Sequence, residues 1–270
     1  IGNRIKPMPD GNFLIAATTA SHDGDIKQNR SSTGFTDGAL LKIDANGNLL
    51  WTSCYGGSKN DELLDIELFN NRIYAAGYAN SIDGDIPPSQ KNYDVWVLAL
   101  DLSGQKIFSK IYGGSQNDVA YSLVPGQDNS LALAGYTTSS DGMASGWHGS
   151  QDGWVINISP DGTLNWQKTI GGKDADFINH LIADGDGYLA AGVSYSSDGN
   201  INGALGEGDF WVTRLSATGN IDWSKNFGGE GNDNLRAIVK NNALNENYLA
   251  GDSDSDDGDF STGIAQETDA

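Results

Sequence analysis

The polar and apolar positions alternate with period two in short blocks, and each block stops at glycine, proline or aspartate. In "DGWVINIS" from Asp152, Trp154 and Ile156 fall on one face of an extended chain and Val155 and Asn157 on the other. "VAYSLVPGQDN" after Asp118 alternates until Pro125-Gly126, and "SLALAGYTTS" follows with small apolar residues and a glycine where a second backbone must approach closely. Then come the polar loop "SDGMASGWHGSQ", the block from Asp152, the turn "PDG" and a last block, "TLNWQKTI". Nowhere do apolar residues recur at three and four over three turns, so helices are not expected.

That series of four strands recurs along the chain. "WTSCYGGSKND" from Trp51 returns as "FSKIYGGSQND" from Phe108, "WQKTIGGKDAD" from Trp166 and "WSKNFGGEGND" from Trp223, spaced 57, 58 and 57 residues apart. The third strand returns as "DGALLKID" from Asp37, "DVWVLALD" from Asp94, "DGWVINIS" from Asp152 and "DFWVTRLS" from Asp209. Its following turn carries Gly47, Gly104, Gly162 or Gly219, where a positive φ is expected. Four short strands per unit predict an all-β fold, a β-propeller of four-stranded blades in one domain over 1–270. The units are 1–57, 58–114, 115–172, 173–229 and a partial 230–270, so about five blades are visible and the fifth is expected to hold two inner strands. The equivalent of Asp118 falls just before Ile1, and Asp269 is placed to open a third strand of the last unit. The chain therefore reads as a mature piece or a fragment.

A blade cannot bury both faces of its sheet alone, so repeated large side chains should pack between blades. Trp51, Trp96, Phe108, Trp154, Trp166, Trp211 and Trp223 hold fixed repeat positions and are expected there as structural anchors. Ala39 stands where the other units carry Trp, so the first unit is expected to pack more loosely.

Three sets of aspartates also recur. Asp61, Asp118, Asp176 and Asp233 follow Gly-Gly, while Asp37, Asp94, Asp152 and Asp209 precede the third strand. Carboxylates beside glycines can accept hydrogen bonds from turn amides that would otherwise be unpaired, so these eight are expected to lock corners. The third set lies in the loop before the third strand, at Asp23, Asp83, Asp141, Asp198 and Asp257, with a second carboxylate at Asp25, Asp85 and Asp259. Paired hard oxygens on a glycine turn suit Ca²⁺, which makes Asp23, Asp25, Asp83, Asp85, Asp257 and Asp259 the candidate metal ligands; a solvated turn is the competing reading. "DSDSDDGD" from Asp252 does not follow the EF-hand spacing.

Sixteen basic against thirty-six acidic residues give a net charge of −20, which repels phosphate backbones and anionic lipid and argues against nucleic-acid partners. No apolar run approaches the roughly 20 residues of a membrane span. A single cysteine, Cys54, excludes internal disulfides and multi-thiolate metal sites. His22, His148 and His180 share no repeat position and form no motif with a serine or the cysteine, so no catalytic residue is assigned.

"YGGSQNDVAYSLVPGQDNSLALAGYTTSSDG" followed by "DGWVINISPDGTLNW" resembles the tandem repeats of secreted and surface β-propeller proteins of Bacteroidota, and is similar to the bacterial seven-bladed-propeller-type repeat. The likeness covers essentially the whole chain; Ile170 for an aromatic, Ala39 for Trp and Ala16-Ala17 for Ala-Gly depart from it. The resemblance implies an extracellular or outer-membrane-surface location, often as a lipoprotein, and recognition of a protein or glycan without catalysis. A propeller enzyme acting on glycans, or a structural repeat spacer, are the alternatives. The least alike segments join second to third strands, which places the partner there. Trp147, the one tryptophan outside the repeat positions, is the first candidate contact, followed by its neighbour His148 and by Tyr93 and Arg30 in the adjoining loops.

Overall fold

The computed structural model describes residues 1–26, 29–88 and 92–261, and they form five antiparallel sheets in chain order. The first sheet contains β1 (Gly2–Pro7), β2 (Phe13–Thr19), β3 (Asp37–Ile43) and β4 (Leu49–Tyr55). The second contains β5 (Asp61–Phe69), β6 (Arg72–Ala79), β7 (Asp94–Asp101) and β8 (Lys106–Tyr112). The third contains β9 (Asp118–Pro125), β10 (Leu131–Thr137), β11 (Asp152–Ile158) and β12 (Leu164–Ile170). The fourth contains β13 (Asp176–Asp184), β14 (Gly187–Ser194), β15 (Asp209–Leu215) and β16 (Ile221–Phe227), and the fifth pairs β17 (Asp233–Asn241) with β18 (Glu246–Ser253). Every strand pairs with its sequence neighbour, the meander expected of propeller blades. Asp269 lies outside the described residues.

First strands face one another around the axis, and the second strand of each sheet packs on the first strand of the next. Four apolar cores follow, one per interface: Leu14 and Leu40 meet Leu63 and Trp96, Val95 and Val97 meet Leu123 and Trp154, Ala134 and Val155 meet Leu181 and Trp211, and Phe210 and Val212 meet Leu235 and Ile238. Thus both faces of the second, third and fourth sheets are covered, which explains why their central strands β7 and β11 are buried along nearly their whole length.

The anchors divide into two kinds. Trp96, Trp154 and Trp211 are fully buried, and each indole N–H donates to the same cross-strand position, Ser109 Oγ, Gln167 Oε1 or Ser224 Oγ, at 2.8 Å. In the first sheet Ala39 supplies no indole, and the equivalent Thr52 hydroxyl is buried without a partner. The outer aromatics instead sit against the glycine turn of the following sheet: Trp51 on Gly104, Phe108 on Gly162 and Trp166 on Gly219. Those turn glycines have φ of 88°, 77° and 80°, and Gly47 has 84°, as expected. Trp223 is 40% exposed, and among the described residues the fifth sheet has two strands and no such turn to cover it. The outward faces of the first and fifth sheets are likewise open, with Ile5 54% and Val239 60% exposed, whereas Ile66 at the position of Ile5 is buried.

A β-bulge recurs three residues after the strand-opening position of every sheet, at Asn3, Leu64, Tyr121, Asn179 and Arg236. The extra residue bends the inner strand, and Asn3, Leu64, Tyr121 and Asn179 line a common cavity between the first strands.

Trp154→Ala is expected to destabilise the fold by about 3–5 kcal/mol and Trp223→Ala by less than about 1 kcal/mol in urea unfolding, because only the first leaves a closed cavity.

Candidate functional site

Each interface is closed by the same corner. Asp61, buried, accepts from the second glycine of the Gly-Gly connector, Gly57 N at 2.8 Å, and from Ser81 Oγ at 2.6 Å, with Asn80 N and Ser81 N at 3.0 and 3.1 Å on its other oxygen. Asp118 takes Gly114 N at 2.8 Å, Ser139 Oγ at 2.9 Å and the Thr137 hydroxyl; Asp176 takes Gly172 N and Ser196 Oγ, each at 2.8 Å. Asp233 takes Gly229 N at 2.9 Å and Ser255 Oγ at 3.0 Å. In each of the four units this carboxylate gathers the connector amide and a serine hydroxyl.

The second set reaches the same corner from the preceding sheet. Asp37 Oδ2 accepts from Arg30 N and Ser31 N at 2.6 and 3.1 Å, Asp152 Oδ2 from His148 N at 2.7 Å, and Asp209 Oδ2 from Leu205 N at 2.9 Å. Oδ1 of Asp37, Asp152 and Asp209 is buried with no hydrogen-bond partner. These oxygens and those of Asp61, Asp176 or Asp233 converge where a β-carbon of the first connector glycine, Gly56, Gly171 or Gly228, would stand; Asp94 and Asp118 crowd Gly113 in the same way. Only glycine fits between two carboxylates at that point, and a β-carbon would overlap both. Burial raises Asp37 to about 6, with the Asp61 charge adding to it, and burial also raises Asp61, Asp118, Asp152, Asp176 and Asp209.

The loop aspartates close the corner from above. Asp83, Asp141, Asp198 and Asp257 each accept, through Oδ1, from the residue after Gly-Gly: Ser58 N, Ser115 N, Lys173 N and Glu230 N, at 2.7 to 2.9 Å. Of the candidate calcium ligands, Asp85 is held by Arg30 and Lys106, and Asp259 Oδ2 accepts from Gly228 N at 3.2 Å. Asp23 and Asp25 are exposed. Among the described residues no group of three or more His, Cys, Asp or Glu side chains is arranged to hold a metal ion. Asp83, Asp85, Asp257 and Asp259 serve turns and ion pairs in this geometry.

The residue two after each loop aspartate varies, and it is the position that distinguishes the interfaces. Its amide always donates to the first connector glycine, from Asp85, Met143, Asn200 and Asp259 to Gly56 O, Gly113 O, Gly171 O and Gly228 O. At the first interface Asp85 is consumed by its two cations. At the second, Met143 is exposed beside a groove of about 850 Å³ that also touches Tyr112 and Gly162. At the third, Asn200 faces a polar pocket of about 240 Å³ walled by Ser145, His148, Gln167, Lys168 and Thr169. A further cavity of about 420 Å³ lies on the axis between Arg4, Leu64, Tyr121 and His180, where the Arg4 guanidinium is spent on buried Asp65 at 2.7 Å.

Of the four expected contact residues, the structure brings together Trp147 and His148. Trp147 is 41% exposed and its indole N–H donates to Ser150 O at 3.3 Å, so the loop is fastened by the ring and still presents it. His148 Nδ1 lies 3.0 Å from Asp152 Oδ2. Arg30 belongs instead to the Asp85 ion pair, and Tyr93 packs edge-on against Tyr78 with centroids 5.0 Å apart. Asn200 and Lys168 were not legible as site residues, although the variation after each Asp-Gly was visible.

No family model and no curated protein matches the chain. Among solved structures it is similar to the WD40 domain of Neurospora crassa Pan2, at 10% identity and a TM-score of 0.49, over 92% of this chain and 60% of that one. It is also similar to cobalt-substituted apocarotenoid oxygenase of Synechocystis, at 13% identity and a TM-score of 0.49, over 91% of this chain and 54% of that one. A putative 6-phosphogluconolactonase from Bacteroides uniformis aligns at 12% identity and a TM-score of 0.39, over 91% of this chain and 82% of that one. The chain thus spans less than two thirds of the first two, and their chemistry is not transferred to it.

A buried carboxyl with a raised pKa favours the folded state when protonated, so its contribution is complete below the ordinary value of 3.8 and is lost as pH rises through about 6 for Asp37. The turn aspartates Asp44, Asp101 and Asp161 act oppositely: hydrogen bonds lower them, and their contribution is lost as pH falls below 3.8. Asp37→Asn, which retains an acceptor for Arg30 N and turns an amide toward Asp61, is expected to flatten the fall in unfolding free energy between pH 4.5 and 7 by on the order of 2 kcal/mol, read by urea unfolding across that range. A slope identical to that of the unmodified chain would contradict the assignment.

Proposed function

We propose that this β-propeller is a non-catalytic recognition module that binds a macromolecular partner through the loops joining second to third strands, at the cell surface or in secreted form. One observation carries the reading. The same loop aspartate, connector amide and glycine carbonyl repeat at four interfaces, while the residue set between them changes from an ion pair to an exposed methionine to a polar pocket. A constant frame carrying varied loop chemistry is what a recognition surface requires.

The repeated carboxylates support binding over catalysis. Those after Gly-Gly are each held by three or more donors, an arrangement suited to fixing a corner. The net charge of −20 directs the choice of partner away from nucleic acid and anionic lipid. No helix among the described residues is long and apolar enough to cross a membrane.

The test is binding of the purified chain to immobilised glycans and peptides, repeated with Trp147→Ala on the loop end and with Leu244→Ser in the turn at the other end of the inner strands. A bound partner is expected to lose about tenfold or more in affinity with the first variant and less than about twofold with the second. Equal effects, or turnover of a bound glycan, would overturn the reading.

A further inference from the structure

We infer that the pocket between the third and fourth sheets is a saccharide subsite that takes a single neutral hexopyranose ring, with Trp147 as the stacking platform beside it. The inference rests on the recognition role proposed above and names its ligand class.

The pocket has a built frame. Gln167 Oε1 accepts the Trp154 indole N–H at 2.8 Å while its Nε2 donates to Ser145 Oγ at 2.5 Å, and Thr169 Oγ1 donates to Ser145 O at 2.7 Å. The wall formed by β12 is therefore tied to the loop that carries Trp147 and His148, and little ordering remains for a ligand to induce. A volume of about 240 Å³ admits one sugar ring and lies below the size of drug-like pockets.

Unfilled hydrogen-bonding capacity selects the chemistry. Asn200 Oδ1 is buried and has no partner. His148, whose Nδ1 lies 3.0 Å from Asp152 Oδ2, forms part of the same wall. The unfilled Asn200 acceptor calls for a ligand that donates. Sulfate or an ionised carboxylate group offers acceptors alone and would leave Asn200 Oδ1 unsatisfied, at a cost comparable to any unpaired buried polar group. Lys168, which makes no ion pair among the described residues, adds donors for a ring or hydroxyl oxygen. Vicinal hydroxyls that both donate and accept match this set. The exposed face of Trp147, fixed by its bond to Ser150, supplies the apolar surface on which the C–H face of a pyranose can lie.

No other interface offers the same combination. The equivalent of Asn200 is Asp85, already paired with Arg30 and Lys106, at the first, Met143, an apolar side chain, at the second, and Asp259, which accepts from Gly228 N, at the fourth.

The experiment titrates the full chain with the methyl glycosides of glucose, galactose and mannose, and in parallel with sodium sulfate and sodium glucuronate, by saturation-transfer NMR and by tryptophan fluorescence. At least one methyl hexoside is expected to bind in the millimolar range. Asn200→Ala should weaken it about tenfold, Trp147→Ala about fivefold, and Asn200→Asp, which keeps an acceptor, less than about threefold. Variants are compared by circular dichroism, and Asn200→Ser stands in for the alanine should that chain not fold. No hexoside binding at about 50 mM, hexoside binding indifferent to Asn200→Ala, or tighter binding of sulfate or glucuronate than of every hexoside would overturn the inference. The recognition role is judged apart from this: a macromolecular partner lost on Trp147→Ala while no monosaccharide binds sinks the saccharide subsite and leaves that role standing.

Discussion

The corner aspartate after each Gly-Gly is the interaction on which the rest of this propeller depends. A sheet whose faces are both apolar gains stability only when another sheet lies parallel to it at packing distance, and the connector that crosses between them has amide groups with no strand to pair with. Asp61, Asp118, Asp176 and Asp233 resolve both demands at once, gathering connector amides and the hydroxyls of the next sheet onto one buried carboxylate. The cores of Trp and branched aliphatic residues then fill the space that this spacing sets.

Burying a second carboxylate beside the same glycine has a cost, which the raised pKa values of Asp37, Asp152 and Asp209 express: desolvation is the main cause, and the charge of Asp61, Asp176 or Asp233 adds to it. A structural consequence accompanies it. The strand-opening aspartate also holds the loop before it, through Arg30 N, His148 N or Leu205 N, so the loop end of the propeller is anchored to the inter-sheet corner and does not hang from it. The recognition role proposed for those loops would thereby rest on anchored elements, and the Asp152 to His148 contact joins the frame directly to the proposed saccharide pocket.

Much of this was legible in the sequence, because a repeat shows the same constraint several times. Strand alternation, turn glycines and the corner role of eight aspartates follow from local chemistry, and they stand in the structure where the repeat places them. What was not legible depends on partners far apart in the chain or on a single unit. Trp223 shares its repeat position with Trp51 and Trp166, yet its environment is set by a turn in the following sheet, so repeat position alone could not reveal its exposure. Asp85 looked like half of a cation site because Asp83 is two residues away; Arg30, fifty-five residues earlier in the chain, and Lys106, twenty-one residues later, take it instead. Asn200 was hidden in a series, Asp25, Asp85, Met143, Asn200 and Asp259, whose carboxylates drew the eye and whose amide needed the pocket around it to acquire meaning.

Native-state amide hydrogen exchange of the connector glycines tests the central claim most directly. If the corner carboxylates hold the interfaces together, the amides of Gly57, Gly114 and Gly172 exchange only on global unfolding, with protection equal to that of the strands β7 and β11. Exchange at the rate of an ordinary exposed turn amide such as Asn46 would show that these bonds follow from the packing of the sheets and do not secure it.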